Sequence, residues 1–133
     1  MSLYVDSSAL LKRYVDEPES ETCERYLLAD PVWITGRHTY VEVRRNLCRM
    51  LAPLDLDAAR ADFAVHWART KIVELDPVTC DLAAQLAEAT GVRTLDALHL
   101  AAARRVGGSD IAVLTLDHRL RDAAQALGMP TPG

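Results

Sequence analysis

Leu3-Tyr4-Val5-Asp6-Ser7-Ser8-Ala9-Leu10-Leu11 is a short apolar run that ends abruptly in a carboxylate and passes straight into a helix-like pattern. It reads as a buried first strand that hands Asp6 to the edge of a sheet, with Ser7 or Ser8 capping the helix that follows. In parallel α/β sheets ligands bind at the carboxyl ends of the strands, so any other acid that matters should gather around Asp6. Three downstream acids are candidates: Glu42 in Thr39-Tyr40-Val41-Glu42-Val43, Asp96 in Thr94-Leu95-Asp96-Ala97-Leu98-His99, and Asp117 in Val113-Leu114-Thr115-Leu116-Asp117.

Working outward, the chain alternates between the two kinds of element. Residues 9–15 form a short helix stopped at Asp16-Glu17-Pro18, residues 19–29 a second helix broken by Asp30-Pro31, and residues 32–35 a β-rich segment. Helices over 39–51 and 57–70, with Pro53 ending the first, make a hairpin. A strand over 72–75 leads through the cap and first-turn proline Asp76-Pro77 to a helix ending at Ala89. A helix over 95–106, the strongly apolar strand 111–115 and a last helix over 119–127, closed by Gly128, complete the series. The crossovers are long enough for parallel strands covered on both faces. The expected fold is therefore α/β, a three-layer α/β/α arrangement around a central parallel sheet of four to five strands, in a single domain over residues 1–133. The fifth strand is short or missing, because Met129-Pro130-Thr131-Pro132-Gly133 is too proline-rich to pair well.

Composition narrows the function less than the motifs do. The net charge of −4 would argue against a nucleic-acid partner. Setting four site acids aside from the 19 Asp and Glu, however, leaves 15 against 15 Lys and Arg, so the remainder of the chain is neutral. Lys12 and Lys71 are the only lysines; the other bases are arginines, whose forked donors suit phosphate. Cys23, Cys48 and Cys80 have neither metal-ligand nor CxxC spacing and read as reduced core thiols. With no secretory signal pattern and no apolar run near the ~18 residues of a membrane span, the expected location is cytoplasmic, with no membrane association.

Taken singly, each aspartate has an ordinary explanation, since Asp6 and Asp117 could simply cap helices and Asp96 could complement a helix dipole. Glu42, on the flank of an apolar helical face, could pair with Arg45 one turn on. Together, four clustered carboxylates raise one another's pKa unless cations neutralise them, and magnesium or manganese suits an all-oxygen shell. Two such ions ~4 Å apart would activate water and stabilise the leaving oxygen of a phosphodiester.

Four motifs in this order and spacing, Tyr4-Val5-Asp6-Ser7-Ser8-Ala9-Leu10-Leu11-Lys12, Tyr40-Val41-Glu42, Leu95-Asp96-Ala97-Leu98-His99-Leu100-Ala101-Ala102-Ala103 and Leu114-Thr115-Leu116-Asp117-His118-Arg119-Leu120, resemble the PIN-domain ribonucleases. More narrowly, the chain is similar to the VapC toxins of bacterial and archaeal toxin–antitoxin pairs. The resemblance implies a PIN-like fold in which Asp6, Glu42, Asp96 and Asp117 bind Mg2+ or Mn2+ for endonucleolytic RNA cleavage, with Ser8 and Thr115 supporting the acids by hydrogen bonds. It also implies a homodimer and inhibition by a small VapB-like antitoxin that covers the acidic pocket.

Arg45, Arg49, Arg93 and Arg119 are the candidates for gripping RNA, with Arg45 and Arg119 put first. His99, one turn after Asp96, is read first as a packed histidine and second as a group positioning a phosphate. Two other functions compete. A receiver-like phosphotransfer domain would want an acidic pair after strand one and a lysine near the last strand, and no lysine follows Lys71. A catalytically inactive PIN-like scaffold for protein or RNA would have no physical reason to keep four repelling carboxylates together.

Overall fold

Side-chain alternation in the first strand sets the layers. In β1 (Ser2–Val5), Leu3 and Val5 enter one hydrophobic core and Tyr4 the other, as the period of two in a strand requires. The computed structural model describes residues 2–30, 32–108 and 110–133. After β1 come α1 (Ser7–Leu11), α2 (Ser20–Ala29), β2 (Trp33–Gly36), α3 (His38–Met50), α4 (Pro53–Arg69), β3 (Lys71–Val73), α5 (Pro77–Thr90), α6 (Thr94–Gly107), β4 (Ile111–Leu114) and α7 (His118–Ala126). The four strands are parallel in the order β3-β2-β1-β4, with Leu3 opposite Trp33 and Val5 opposite Leu114.

Helices cover both faces. Leu3, Val5, Ala112 and Leu114 pack with Leu10, Leu27, Val43, Leu47 and Phe63 from α1 to α4. Tyr4, Ile34, Val73, Ile111 and Val113 pack on the other face with residues of α5, α6 and α7, including Leu86, Leu100 and Leu120. Strand β4 contributes to both cores and is buried along its whole length, so its uninterrupted apolar run is what a two-sided environment demands.

The element order matches expectation, and the differences are local. Asp6, rather than Ser7 or Ser8, caps α1: its carboxylate reaches the Ala9 N–H, which leaves both serines inside the first turn. That helix ends at Leu11, beyond which the chain tightens into turns whose N–H groups bond three residues back, Arg13 to Leu10 and Tyr14 to Leu11. Pro53 opens α4 instead of merely ending α3, because proline at a first helical position needs no N–H partner and already holds helical φ. Among the described residues there is no fifth strand. The tail makes one ladder-like bond, Val113 N–H to the Pro130 carbonyl at 2.8 Å, and buries Met129. The helix break assigned partly to Pro31 lies outside the described residues. Only Cys23 is a core thiol; Cys48 and Cys80 are exposed, each one helical step past the buried Leu47 or Thr79. No helix among the described residues is long and apolar enough to cross a membrane.

Candidate active site

At the carboxyl end of β1 the chain turns into α1 through Asp6, whose side chain is 3% exposed. The carboxylate accepts from the Ala9 N–H at 3.0 Å, the Ser8 hydroxyl at 2.8 and 2.9 Å, and the Thr115 hydroxyl at 2.5 Å. Both hydroxyls also accept backbone N–H groups from the β4–α7 turn, Leu116 to Ser8 at 2.9 Å and Asp117 to Thr115 at 3.0 Å. Asp6 is thereby locked to the far end of the chain. Burial pushes its carboxyl above the ordinary range, and the opposing pull of His99 and the hydrogen bonds from Thr115, Ala9 and Ser8 does not cancel it.

Asp117 is the exposed cap of α7, accepting from the N–H groups of Arg119 at 2.9 Å and Leu120 at 3.3 Å. Asp96 lies in the first turn of α6, half-buried. Among the described residues no hydrogen bond or ion pair reaches its carboxylate. Burial, then the negative charge of Asp117, and further on that of Asp6, raise its pKa against the weaker pull of His99 and Arg93. Asp96→Asn should therefore raise the Tm of metal-free protein by a few degrees at pH 7, by removing a charge that the folded state disfavours. A carboxyl with a raised folded pKa incurs no penalty below its unfolded value and incurs more as pH rises through the folded one. The gain should thus shrink as pH falls toward 3.8, and also when millimolar Mg2+ is added; differential scanning fluorimetry with EDTA or Mg2+ reads both.

Glu42 sits one turn into α3, which follows β2. A relay of hydrogen bonds holds it. The Gly36 N–H donates to the Tyr4 hydroxyl at 3.1 Å, that hydroxyl meets His99 Nδ1 at 2.7 Å, and His99 Nε2 lies 3.0 Å from Glu42 Oε1. Burial acts to raise the Glu42 carboxyl, but the hydrogen bond and the charge of His99 are the main causes that hold the group below the usual glutamate range. The expected pairing with Arg45 is absent among the described ion pairs. His99, 3% exposed and engaged at both nitrogens, has no face left for a phosphate. The packed reading of this histidine is the one the structure supports, with the added task of steadying Glu42.

His38 completes this corner. Its ring lies 4.1 Å from that of His99, centroid to centroid, and its Nε2 is 3.9 Å from Glu42 Oε1. Burial and the neighbouring His99 push its pKa down, to about 4, so at neutral pH it forms no ion pair with Glu42. Gly36 makes room for the ring, since a Cβ there would stand 2.5 Å from His38 Cε1. Neither Tyr4 nor His38 was singled out from the sequence. The available signal was the phenol of a tyrosine in the middle of a buried strand, which needs a partner.

Glu42, Asp96 and Asp117 line one cavity of about 410 Å³ together with Arg93, Thr94, Leu95 and Arg119. A second cavity of about 620 Å³ shares Arg93, Asp96 and Arg119 and extends along α7 to Ala126. Arg119 is therefore at the site. Arg45 is exposed on α3 and outside both linings, while Arg93, the residue preceding α6, lies in both. The donors offered by the acids are all oxygen and short of compensating cations, which fits a hard divalent ion.

A family model described as PIN domain matches residues 3–126. The chain is 38% identical over 129 residues to Ribonuclease VapC46 of Mycobacterium tuberculosis, covering 96% of this chain and 94% of that protein. Its fold is similar to the crystal structure of Mycobacterium tuberculosis VapC20, described as a sarcin-ricin loop cleaving toxin, with a TM-score of 0.70 at 22% identity over 92% of this chain and 95% of the other. It also superposes on a chain of a toxin–antitoxin complex from Klebsiella pneumoniae with a TM-score of 0.74 at 17% identity, over 100% and 98% of the two chains.

Proposed function

This chain belongs to the PIN-domain family, and from that premise we propose that it is a metal-dependent endoribonuclease acting as the toxin of a toxin–antitoxin pair. One observation supports the reading: Glu42, Asp96 and Asp117 line one cavity, the charge of buried Asp6 is felt at Asp96, and burial raises the pKa of both Asp6 and Asp96. Acids that resist ionisation and nonetheless stand near one another are what a cation site requires.

Asp6, Asp96, Asp117 and Glu42 would hold Mg2+ or Mn2+. Bound there, the ion supplies Lewis acidity toward a water and toward the phosphodiester. The chain's own residues do the rest. Ser8 and Thr115 fix the rotamer of Asp6, and the Tyr4–His99 relay fixes Glu42, so that the oxygens are in place before RNA arrives. Arg93 and Arg119, beside the acids in both cavities, give the RNA backbone its cationic contacts, and the larger cavity extends the path away from the cut site. Arg45 would act only at the margin. The relationship to VapC46 supports the ribonuclease reading, and the toxin–antitoxin complex from Klebsiella pneumoniae supports an antitoxin partner, which in this proposal is small, VapB-like and covers the acidic pocket. A homodimer is part of the same proposal.

The test is incubation of total cellular RNA with purified, antitoxin-free protein and Mg2+ or Mn2+, with an EDTA control and mapping of the fragment ends. Discrete cuts that disappear in EDTA are expected. Intact RNA under all conditions, or cutting indifferent to EDTA, would overturn the proposal.

A further inference from the structure

Beside the acids lies a cluster of different chemistry. His38, Glu42 and His99 each offer one ligand atom, and the three atoms lie within 4.8 Å of one another, where an ion with ~2.0–2.1 Å bonds in tetrahedral geometry sets its ligands about 3.3 Å apart. The 3.0 Å from His99 and the 3.9 Å from His38 to the same Glu42 oxygen bracket that spacing. His38 is only 8% exposed, and neither of its ring nitrogens has a hydrogen-bond partner among the described residues. Buried imidazoles are ordinarily satisfied, so this one is aimed at a ligand that the chain itself does not provide. The Tyr4 hydroxyl at His99 Nδ1 is the kind of outer hydrogen bond that orients a ligating histidine.

We infer that His38, Glu42 and His99 form a second metal site, selective for a first-row transition ion such as Zn2+ or Co2+. Two imidazoles and one carboxylate suit such ions, whereas Mg2+ prefers all-oxygen shells. Three protein ligands leave a fourth position open. Binding uses the neutral tautomer of His99 with its single ring proton on Nδ1: the Nε2 proton leaves to solvent, Nδ1 takes one up from solvent, and Nδ1–H then faces the Tyr4 oxygen. Because Glu42 belongs to both clusters, filling the nitrogen site withdraws one oxygen ligand from the acids. If the nuclease reading above holds, Zn2+ antagonises Mg2+-supported cleavage by competing for Glu42.

The test reads binding and does not depend on RNA cleavage. Titration of metal-free protein with Co2+ should give the visible absorption of a four-coordinate ion, saturating at one equivalent per chain. His38→Gln should weaken this binding by at least about 100-fold, beyond the 10–100-fold that loss of a mere supporting residue costs. Asp96→Asn should leave it in place. Loss of the band in Asp96→Asn but not in His38→Gln would put the ion on the acids and overturn the proposal, as would no band at all. Should His38→Gln fold poorly, NMR of the unaltered protein decides. Of its four histidines, Zn2+ should shift the ring resonances of His38 and His99 and spare His66 and His118; any other pattern rejects the site.

Discussion

Asp6→Asn is expected to lower RNA cleavage by at least roughly 10²–10³-fold, the loss that follows removal of one preorganised electrostatic contact, while the fold survives. Asparagine caps a helix about as well as aspartate, so the Ala9 N–H keeps its acceptor. The Ser8 and Thr115 hydroxyls rotate freely and have lone pairs to accept from the new amide. What disappears is the charge. Single-turnover rates at saturating Mg2+, on protein whose circular dichroism matches the parent, measure the effect. Residual activity within about tenfold of the parent would remove Asp6 from the chemistry.

The second large effect concerns the platform beneath Glu42. Phe63 on α4 is 1% exposed and touches three aromatic neighbours: Tyr14 edge-on at 5.5 Å, Tyr40 stacked at 5.7 Å, and Trp67 at 5.5 Å. Tyr14 in turn hydrogen-bonds His66 at 2.8 Å. This knot joins the turn after α1, the start of α3 and the middle of α4. Phe63→Ala should cost about 3–5 kcal/mol, the range for truncating a buried phenylalanine whose cavity cannot collapse. Against a typical total of about 5–15 kcal/mol, that brings the protein near the edge of folding. Urea denaturation should show a lowered midpoint with an unchanged slope; a loss below about 1 kcal/mol would mean that the hairpin is held elsewhere.

Much of this architecture could be read before any coordinates, for reasons that differ by element. Strand β4 was legible because an unbroken apolar run of that length, buried on both faces, has few alternatives. Asp76-Pro77 marked a helix start because cap and first-turn proline act locally. Asp6 and Asp117 could be placed at one edge because parallel crossovers bring every strand-to-helix turn there, whereas Asp96 opens a helix that follows another helix and has no such rule behind it. Less visible was anything carried by contacts between distant residues. Tyr4 and His99 are separated by 95 positions, and neither side's periodicity announces the other. His38 read as nothing more than the residue before a helix, since its significance depends on Gly36 letting the ring fold back toward Glu42. The choice between Ser7, Ser8 and Asp6 as the cap was also open, as all three are good capping residues. Arg93 and Arg119 line both cavities and Arg45 lines neither, a distinction the sequence hides because an arginine beside a helix is ordinarily on a solvated face.

The strand order has a consequence for synthesis. The pairing of β1 with the edge strand β4 joins the first strand made to the last, and one of the hydroxyls that grip Asp6 belongs to Thr115. Loop closure over more than a hundred residues must precede that contact, which makes it one of the latest to form. A growing chain still on the ribosome can shape α1 to α4 as they emerge, but it lacks the strand that clamps its first aspartate. On the proposed assignment of Asp6 to the chemistry, cutting ability is withheld from every nascent intermediate, and the cell meets a competent site only when the final strand has left the exit tunnel and docked.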